Sequence, residues 1–523
     1  MTTRSQQVLA CCLCLILMCL LAASKQDILA QSSLVRSDVQ PHPVNLDFEQ
    51  GIVGQVPQGW TAPTRANYPA ELTEEQPKSG KRSALLRSVS TGPAGGSEFG
   101  NLMQAIDAAS LRGRRVRFRA AVRVESAQPV ARAQLWLRVD RSANKMGFFD
   151  NMGDRPITSG EWQYYEIVGD VDQDAAVINF GMILLGKGKA WLDDVSFEDL
   201  GKLVVRAEPA RPLTDRGLEN IVAFTRLLGY VRHFHPSDEA VATNWDSFAI
   251  EGVSIAEGAK DAVDLAKKLE DIFRPVGPTI RVFATGEVAR VPNVLTPPKD
   301  DPSLKIVSWQ HRGFGQKAAR DSVYASERVR KDAPGGRIPP GAPDPQKPFI
   351  TSLGGGVSCL VPLALFADAQ GTLPHSSPHV ADTKDTLVKF SGNDRATRLA
   401  DVALTWNILQ HFYPYFDVAR TDWPQALRAA LTSAAQDPDE LAFLNTLRRM
   451  VAQLHDGHGG VYHPSDSNGY TVPVLLGWVE GHLVITEVAA AGAEGLQPGD
   501  IIIKINGQPS GDVLAQSEEL ISA

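Results

Sequence analysis

Apolar and polar positions alternate with period two over two stretches near the N-terminal third of the chain. Val116, Phe118, Ala120, Val122 and Val124 are separated by Arg117, Arg119 and Arg123; Ala133, Leu135, Leu137 and Val139 by Gln134, Trp136 and Arg138. That period predicts half-buried antiparallel strands with one polar face. Turn-formers separate the runs, so residues 44–200 are expected to form a β-sandwich. From about residue 210 the period becomes helical. Ile221, Phe224, Leu228 and Val231 form one stripe, followed by His233-Phe234-His235-Pro236 and Asn244-Trp245. Leu399, Val402, Trp406 and Leu409 form another, followed by His411-Phe412-Tyr413-Pro414 and Asp422-Trp423. The offset is 178 at each step (399 − 221, 411 − 233, 423 − 245). This predicts duplicated helical units over 210–290 and 390–465, with a proline stopping the first helix of each. The recurrence of His233 and His411 beside aromatics points to structural histidines, and the paired tryptophans are expected between helices.

The span between the units, 291–385, is rich in proline and glycine. Lys331 to Lys347 reads as an exposed, disordered loop. Ile306-Val307-Ser308-Trp309 and the run Cys359 to Phe366 read as buried strands, or a strand and a turn. Gly354-Gly355-Gly356-Val357-Ser358 fits neither a nucleophile elbow nor a Walker loop. The architecture expected is thus multidomain α+β: a sandwich, duplicated helical units with β insertions, and a further small domain over 470–523.

Candidate chemistry gathers where the last helix of the second unit runs out. Asp437 reads as its N-cap, with Pro438 at the first position and Glu440 as the capping-box acid. Leu441, Leu444, Leu447, Val451 and Leu454 make the buried stripe, and Gly457 is expected to stop the helix in the left-handed conformation. The turn reads His455-Asp456-Gly457-His458. The corresponding place in the first unit reads Arg274-Pro275-Val276-Gly277-Pro278-Thr279, with no acid and no histidine. The fold alone does not require the cluster. A metal site of His455, Asp456, His458 and His463 has no standard zinc spacing, so no metal and no cofactor is expected. A capping turn with solvated histidines is the plainer alternative.

Composition bounds the rest. The 523 residues imply several domains, and a net charge of −8 without a basic stripe argues against a nucleic-acid partner. Residues 1–24 read as a signal peptide: Arg4, an apolar run from Val8 to Ala23, then Ala22-Ala23-Ser24, with a second possible cut after Ala30. The mature protein is expected outside the cytoplasm, periplasmic or secreted, with no stable membrane anchor after cleavage. Cys11, Cys12, Cys14 and Cys19 leave with the signal; Cys359 remains alone and can form no internal disulfide.

The two ends of the mature chain each carry a resemblance. Asn45-Leu46-Asp47-Phe48-Glu49 with Pro57-Gln58-Gly59-Trp60, and Trp191-Leu192-Asp193-Asp194-Val195-Ser196-Phe197, resemble the first and last strands of carbohydrate-binding, galactose-binding-like jelly rolls. That implies a glycan partner held by an aromatic on the open face, which Trp136 matches, and makes Glu49 and Asp194 calcium-ligand candidates. At the other end, the strand Leu483 to Val488, the turn Gly495-Leu496-Gln497-Pro498-Gly499-Asp500, a buried strand Ile501 to Ile505, an Asn506-Gly507 hairpin and a helix from Val513 to Ile521 resemble a bacterial PDZ domain. The resemblance implies binding of peptide or protein C-termini, with the carboxylate loop near Leu475-Leu476-Gly477-Trp478.

Helical unit, Leu-His-Asp-Gly-His and PDZ in that order resemble the front half of a tail-specific (C-terminal-processing, tricorn core-like) serine peptidase. The resemblance makes His458 the general base. It also expects the nucleophilic serine and its supporting acid in a domain after the PDZ. The sequence is therefore read either as a peptidase fragment lacking the nucleophile domain or as a non-catalytic secreted glycan- and peptide-binding protein.

Overall fold

The computed structural model describes residues 39–522 apart from 65–66, 90–98, 127–130, 143–144, 154, 298–300, 315–324, 376–386, 464–471, 490–492 and 494. The expected signal segment, with Cys11, Cys12, Cys14 and Cys19, lies outside the described residues. The chain divides into two compact units: Met1–Val204 with Leu387–Lys389, and Val205–Thr386 with Phe390–Ala523. The 291–385 span falls within the second.

The first unit is a β-sandwich. Its strands are β1 Val39–Gln40, β2 Ala70–Thr73, β3 Ser83–Arg87, β4 Phe99–Asp107, β5 Arg114–Ser126, β6 Arg132–Arg141, β7 Met146–Asp150, β8 Gln163–Val171, β9 Ala175–Leu185 and β10 Gly188–Lys202. One sheet runs β1-β4-β9-β6-β7, the other β2-β3-β10-β5-β8. The period-two residues point as expected: Val116, Phe118 and Val122 from β5 meet Leu135, Leu137 and Val139 from β6 in one core. Phe180 is its aromatic centre, with Phe197, Phe118 and Trp60 rings 4.9, 5.1 and 5.9 Å away. A bulge in β10 between Asp193 and Ser196 turns the last strand, and there Val195 N–H donates to Leu46 C=O at 3.0 Å.

The second unit holds two helical runs. The first is α1 Asp215–Phe234, α2 Asp238–Ala242, α3 Trp245–Glu257 and α4 Ala262–Phe273; the second is α5 Arg395–Phe412, α6 Phe416–Ala419, α7 Trp423–Gln436 and α8 Glu440–Ala452. The starts of α2 and α6, α3 and α7, α4 and α8 all differ by 178 (416 − 238, 423 − 245, 440 − 262). The long helices α1 and α5 cross at positions with the same offset. Gly229 lies so close to α5 that a Cβ there would come within 2.0 Å of Asn407 Oδ1 (407 − 229 = 178). Asn407 Nδ2 donates to Thr225 C=O at 2.7 Å and to Ala403 C=O at 2.9 Å, again 178 apart. Both first helices end as a pre-proline residue demands, since the clash with the proline ring drives it out of the helical region. His235 has φ −78°, ψ 122°, and Tyr413 φ −79°, ψ 117°.

Helices of both runs share one core with strands from the intervening span. Arg281–Ala284, Val357–Val361 and Phe349–Gly354 form one antiparallel sheet; Ser326–Asp332, Lys305–His311 and Ala364–Ala367 form another. The run through Cys359 is therefore two buried strands. Gly354, Gly355 and Gly356, all at positive φ, make the hairpin turn between two of these strands. The 331–347 stretch is exposed in part but described: it begins in a strand, passes a short 3₁₀ turn at Pro334–Gly336 and contributes buried Ala333.

Several local expectations are corrected. The N-cap of α8 is Asp439, whose carboxylate accepts Ala442 N–H at 2.8 Å; Asp437 instead closes α7, so Pro438 and Glu440 shift register with it. Asp261, 178 residues earlier, caps α4 in the same way. Leu441 is exposed, and the buried side of α8 is Phe443, Leu444, Met450 and Val451. Strands Val474–Val479, His482–Val488 and Ile501–Ile502 form a three-stranded antiparallel sheet. Asn506 and Gly507, at φ +50° and +83°, form a two-residue hairpin between Ile505 and Gln508, and a helix follows over Ser510–Glu518. The expected buried strand Ile501–Ile505 is instead two dipeptide strands, with Ile501 and Ile503 exposed.

Candidate functional sites

Two places carry chemistry, one in each unit. On the sandwich, several side chains of β4, β9 and β6 that turn away from the core are themselves buried. Asn101, Gln134, Trp136, Arg138 and Asn179 are only 8%, 6%, 7%, 9% and 5% exposed. Strand register explains the geometry. Met103, Gly181 and Trp136 lie side by side across β4, β9 and β6, and the glycine leaves room for the indole to cross the middle strand. Trp136 Nε1–H then donates to Asn101 Oδ1, two strands away, at 3.0 Å. In a neighbouring row Arg138 Nη2 and Asn179 Nδ2 both donate to Asp140 Oδ2, at 2.8 and 2.7 Å. Arg138 Nε is buried without a hydrogen-bond partner among the described residues. Trp136 thus lies on the polar face as expected, but as floor: at this burial it is no open stacking platform. Arg138 and Gln134 were visible in the alternation of β6; Asn101 and Asn179 come from strands whose register only the fold reveals.

The calcium candidates are each taken up by other donors. Glu49 Oε1 accepts the backbone N–H groups of Lys81 and Arg82 at 2.6 and 3.0 Å, and those donors hold its carboxyl below the usual range. Asp194 accepts the Tyr164 hydroxyl. Both carboxylates are engaged with donors, the opposite of what a cation needs.

The second place is the turn after α8. The helix tightens into 3₁₀-type bonds, Gln453 N–H to Met450, Leu454 to Val451 and His455 to Ala452. The left-handed residue is His455, at φ +48°, and Gly457 does not take positive φ. The stop therefore falls two residues earlier than expected. Asp456 organises the rest of the turn. Its Oδ1 accepts His458 N–H at 3.0 Å and faces His458 Nδ1 at 3.0 Å. Its Oδ2 accepts the Tyr413 hydroxyl at 3.3 Å, and its own N–H donates to Ser522 Oγ at 2.9 Å. The N–H of His458, then its ring, lower the carboxyl's proton affinity. The Asp456 side chain is 25% exposed and that of His458 94%, so a ring held by Nδ1 leaves Nε2 to solvent. Among the described residues no three His, Cys, Asp or Glu side chains are grouped to hold a metal ion. Tyr413, part of the motif ending the first helix, escaped the sequence reading because its reach to residue 456 is a tertiary fact.

Leu475, Leu476, Gly477 and Trp478 lie in strand Val474–Val479, not in a loop. The strand pairs on one side with His482–Val488 and is an edge of its sheet; Leu475 and Trp478 are 60% and 50% exposed. His233 and His411 sit in an aromatic cluster with rings 5.9 Å apart, next to Phe234 and Phe412. Burial pushes them down to about 3 and about 4, so both are neutral; His233 is buried and His411 partly exposed. No helix among the described residues is long and apolar enough to cross a membrane.

No family model matches the chain. A curated relative, an uncharacterized HTH-type transcriptional regulator YbfP of Bacillus subtilis (strain 168), is 35% identical over 159 residues, 30% of this chain and 52% of that protein. The chain thus spans about half the length of this relative. Among solved structures, similarity is found to the CBM22-1 xylan-binding domain of Paenibacillus barcinonensis Xyn10C (16% identity, 29% of this chain and 90% of that one, TM-score 0.22). The C-terminal family 22 carbohydrate binding module of Clostridium thermocellum Xyn10B gives 16% identity, 30% and 92% coverage and a TM-score of 0.23. The enzymatically active domain of bacteriophage CBA120 tailspike protein 4 gives 12%, 31% and 21%, and 0.24. Likenesses of this size carry no functional argument; the sandwich assignment rests on its own strand order and register.

Proposed function

We propose that this is an extracytoplasmic binding protein whose sandwich takes a glycan on the outer face of the sheet containing β4, β9 and β6. The carrying observation is the set of polar side chains Asn101, Trp136, Arg138 and Asn179, sunk below the surface with fixed hydrogen bonds, two of them to partly exposed Asp140. Sinking amides and a guanidinium costs free energy that a merely solvated sheet face avoids. Convergent polar groups around an indole are what hydroxyl-rich rings bind. The test is affinity electrophoresis of the full chain in gels carrying soluble xylan, β-glucan or galactan. Retardation by at least one, lost in Arg138→Met, is expected; no retardation by any, or an unchanged Arg138→Met, contradicts the reading.

A second reading is favoured by the Asp456–His458 pair. A carboxylate on Nδ1 and an exposed Nε2 is the arrangement of a general base that takes a proton from a serine hydroxyl. It fits a tail-specific-type serine peptidase, in which the helical runs are copies of one unit and residues 470–523 are part of a PDZ domain. The exposed edge strand Val474–Val479 then offers Leu475, Leu476, Gly477 and Trp478 to a peptide C-terminus added as a further strand. In a chain that also carries the nucleophile segment, His458→Ala removes hydrolysis of unstructured peptides without lowering the melting temperature, and His455→Ala does neither. Equal effects of the two substitutions contradict this reading.

A further inference from the structure

The tie between Tyr413 and Asp456 has a counterpart in the first helical run. Tyr413 is the residue between α5 and Pro414, and His235, 178 residues earlier, is the residue between α1 and Pro236. His235 Nε2 meets Thr279 Oγ1 at 2.9 Å, in the turn after α4. Tyr413 Oη meets Asp456 Oδ2 at 3.3 Å, in the turn after α8. In each run the pre-proline residue of the first helix thus holds the turn after the last. The first tie is sealed: His235 and Thr279 are both fully buried, and Ser237 Oγ takes the other ring nitrogen at 3.0 Å. The second holds a partly exposed carboxylate whose other oxygen faces an imidazole.

We infer that Tyr413 is a positioning residue for the Asp456–His458 pair, an inference that rests on the general-base reading of that pair. A carboxylate tied through one oxygen can turn about its terminal torsion, which is broad and roughly two-fold. Tied through both, it presents Oδ1 to His458 Nδ1 in one orientation. That selects the tautomer with the proton on Nδ1 and leaves Nε2 as the acceptor. Outer partners of this kind orient the imidazole they do not touch. The Tyr413 ring is itself fixed, with Phe416 and Tyr415 rings edge-on at 5.1 and 5.7 Å. Removing only the hydroxyl therefore leaves the packing in place.

The experiment is NMR on the full chain with 15N-labelled histidine, His458 being assigned from His458→Gln, at a pH where its ring is neutral. The 15N shifts report which ring nitrogen carries the proton. In the unsubstituted chain Nδ1–H is expected to predominate at His458. Tyr413→Phe should lower the Nδ1–H to Nε2–H ratio about two- to fivefold, the scale of one modest hydrogen bond, with no change in melting temperature. Asp456→Asn should lower it further. An unchanged ratio in Tyr413→Phe overturns the inference alone. An unsubstituted chain without an Nδ1–H preference overturns the pair and the inference together.

Discussion

The turns after α4 and α8 close runs of matching helices at a common offset, yet lead to different surroundings. After α4, Val276 and Gly277 N–H groups return to Phe273 C=O, Thr279 is sealed, and the chain enters strand Arg281–Ala284, whose Val282 joins the core. After α8 the chain stays outside, and Asp456 gathers its partners at the surface. The scaffold fixes the position of the turn, and the path of the chain beyond it decides whether polar groups there are sealed or left at the surface. A turn whose polar atoms are buried must satisfy them internally. A turn that remains in water can present them.

The sharpest break in the likeness is expected at the tryptophans. Trp423 is buried and stacks on Trp406, with ring centroids 6.4 Å apart, each Nε1–H donating to the other's backbone carbonyl. Trp245, at the matching position, is only half-buried; it packs edge-on against Phe248 and donates to Ala240 C=O. Trp423→Ala should cost about 3–5 kcal/mol and Trp245→Ala about half as much, read as shifts in urea midpoint.

Acid should weaken the helical unit through its sealed histidines. Burial depresses His235 to about 3, as it does His233. Their folded values lie below the unfolded ~6.5, so as pH falls the unfolded chain takes the protons first. Stability is full above about pH 6.5 and falls by up to ~1.4 kcal/mol per pH unit for each such histidine, down to about pH 3. His235→Gln should flatten unfolding curves between about pH 6 and 4 by one histidine's share. An unaltered slope counts against the sealed tie.

The smallest effect should be equal in both runs. Asp261 and Asp439 are matched N-caps, accepting Asp264 and Ala442 N–H at 2.9 and 2.8 Å. Replacing either by alanine should cost about 1 kcal/mol in chemical denaturation. A clear inequality shows that the helices are less alike than their starts suggest.

How much was legible in the sequence depends on the reach of each interaction. The alternation over 116–124 and 133–139 gave β5 and β6, because strand faces repeat within a few residues. The 178-residue offset anticipated the matching helix starts. The helix cap was misread because three acids, Asp437, Asp439 and Glu440, compete within four positions, and only packing selects Asp439. Gly457 drew the helix stop to itself, although tightening at Gln453 had ended the helix and left the positive φ to His455. The apolar run Ile501–Ile505 looked buried, but apolar character does not say whether another layer covers it. His458 was found from its local motif. Tyr413, Asn101 and Asn179 were not, because their partners are 43, 35 and 39 residues distant.

The central claim, that one turn is sealed in the core and the other lies at the surface, is tested most directly by comparing Thr279→Val with Asp456→Asn in equilibrium urea unfolding of the full chain. Thr279→Val leaves the buried His235 nitrogen without its partner and should cost about 1–3 kcal/mol. Asp456→Asn, at the surface, should stay within about 0.5 kcal/mol. Equal losses, or the larger loss at Asp456, contradict the account.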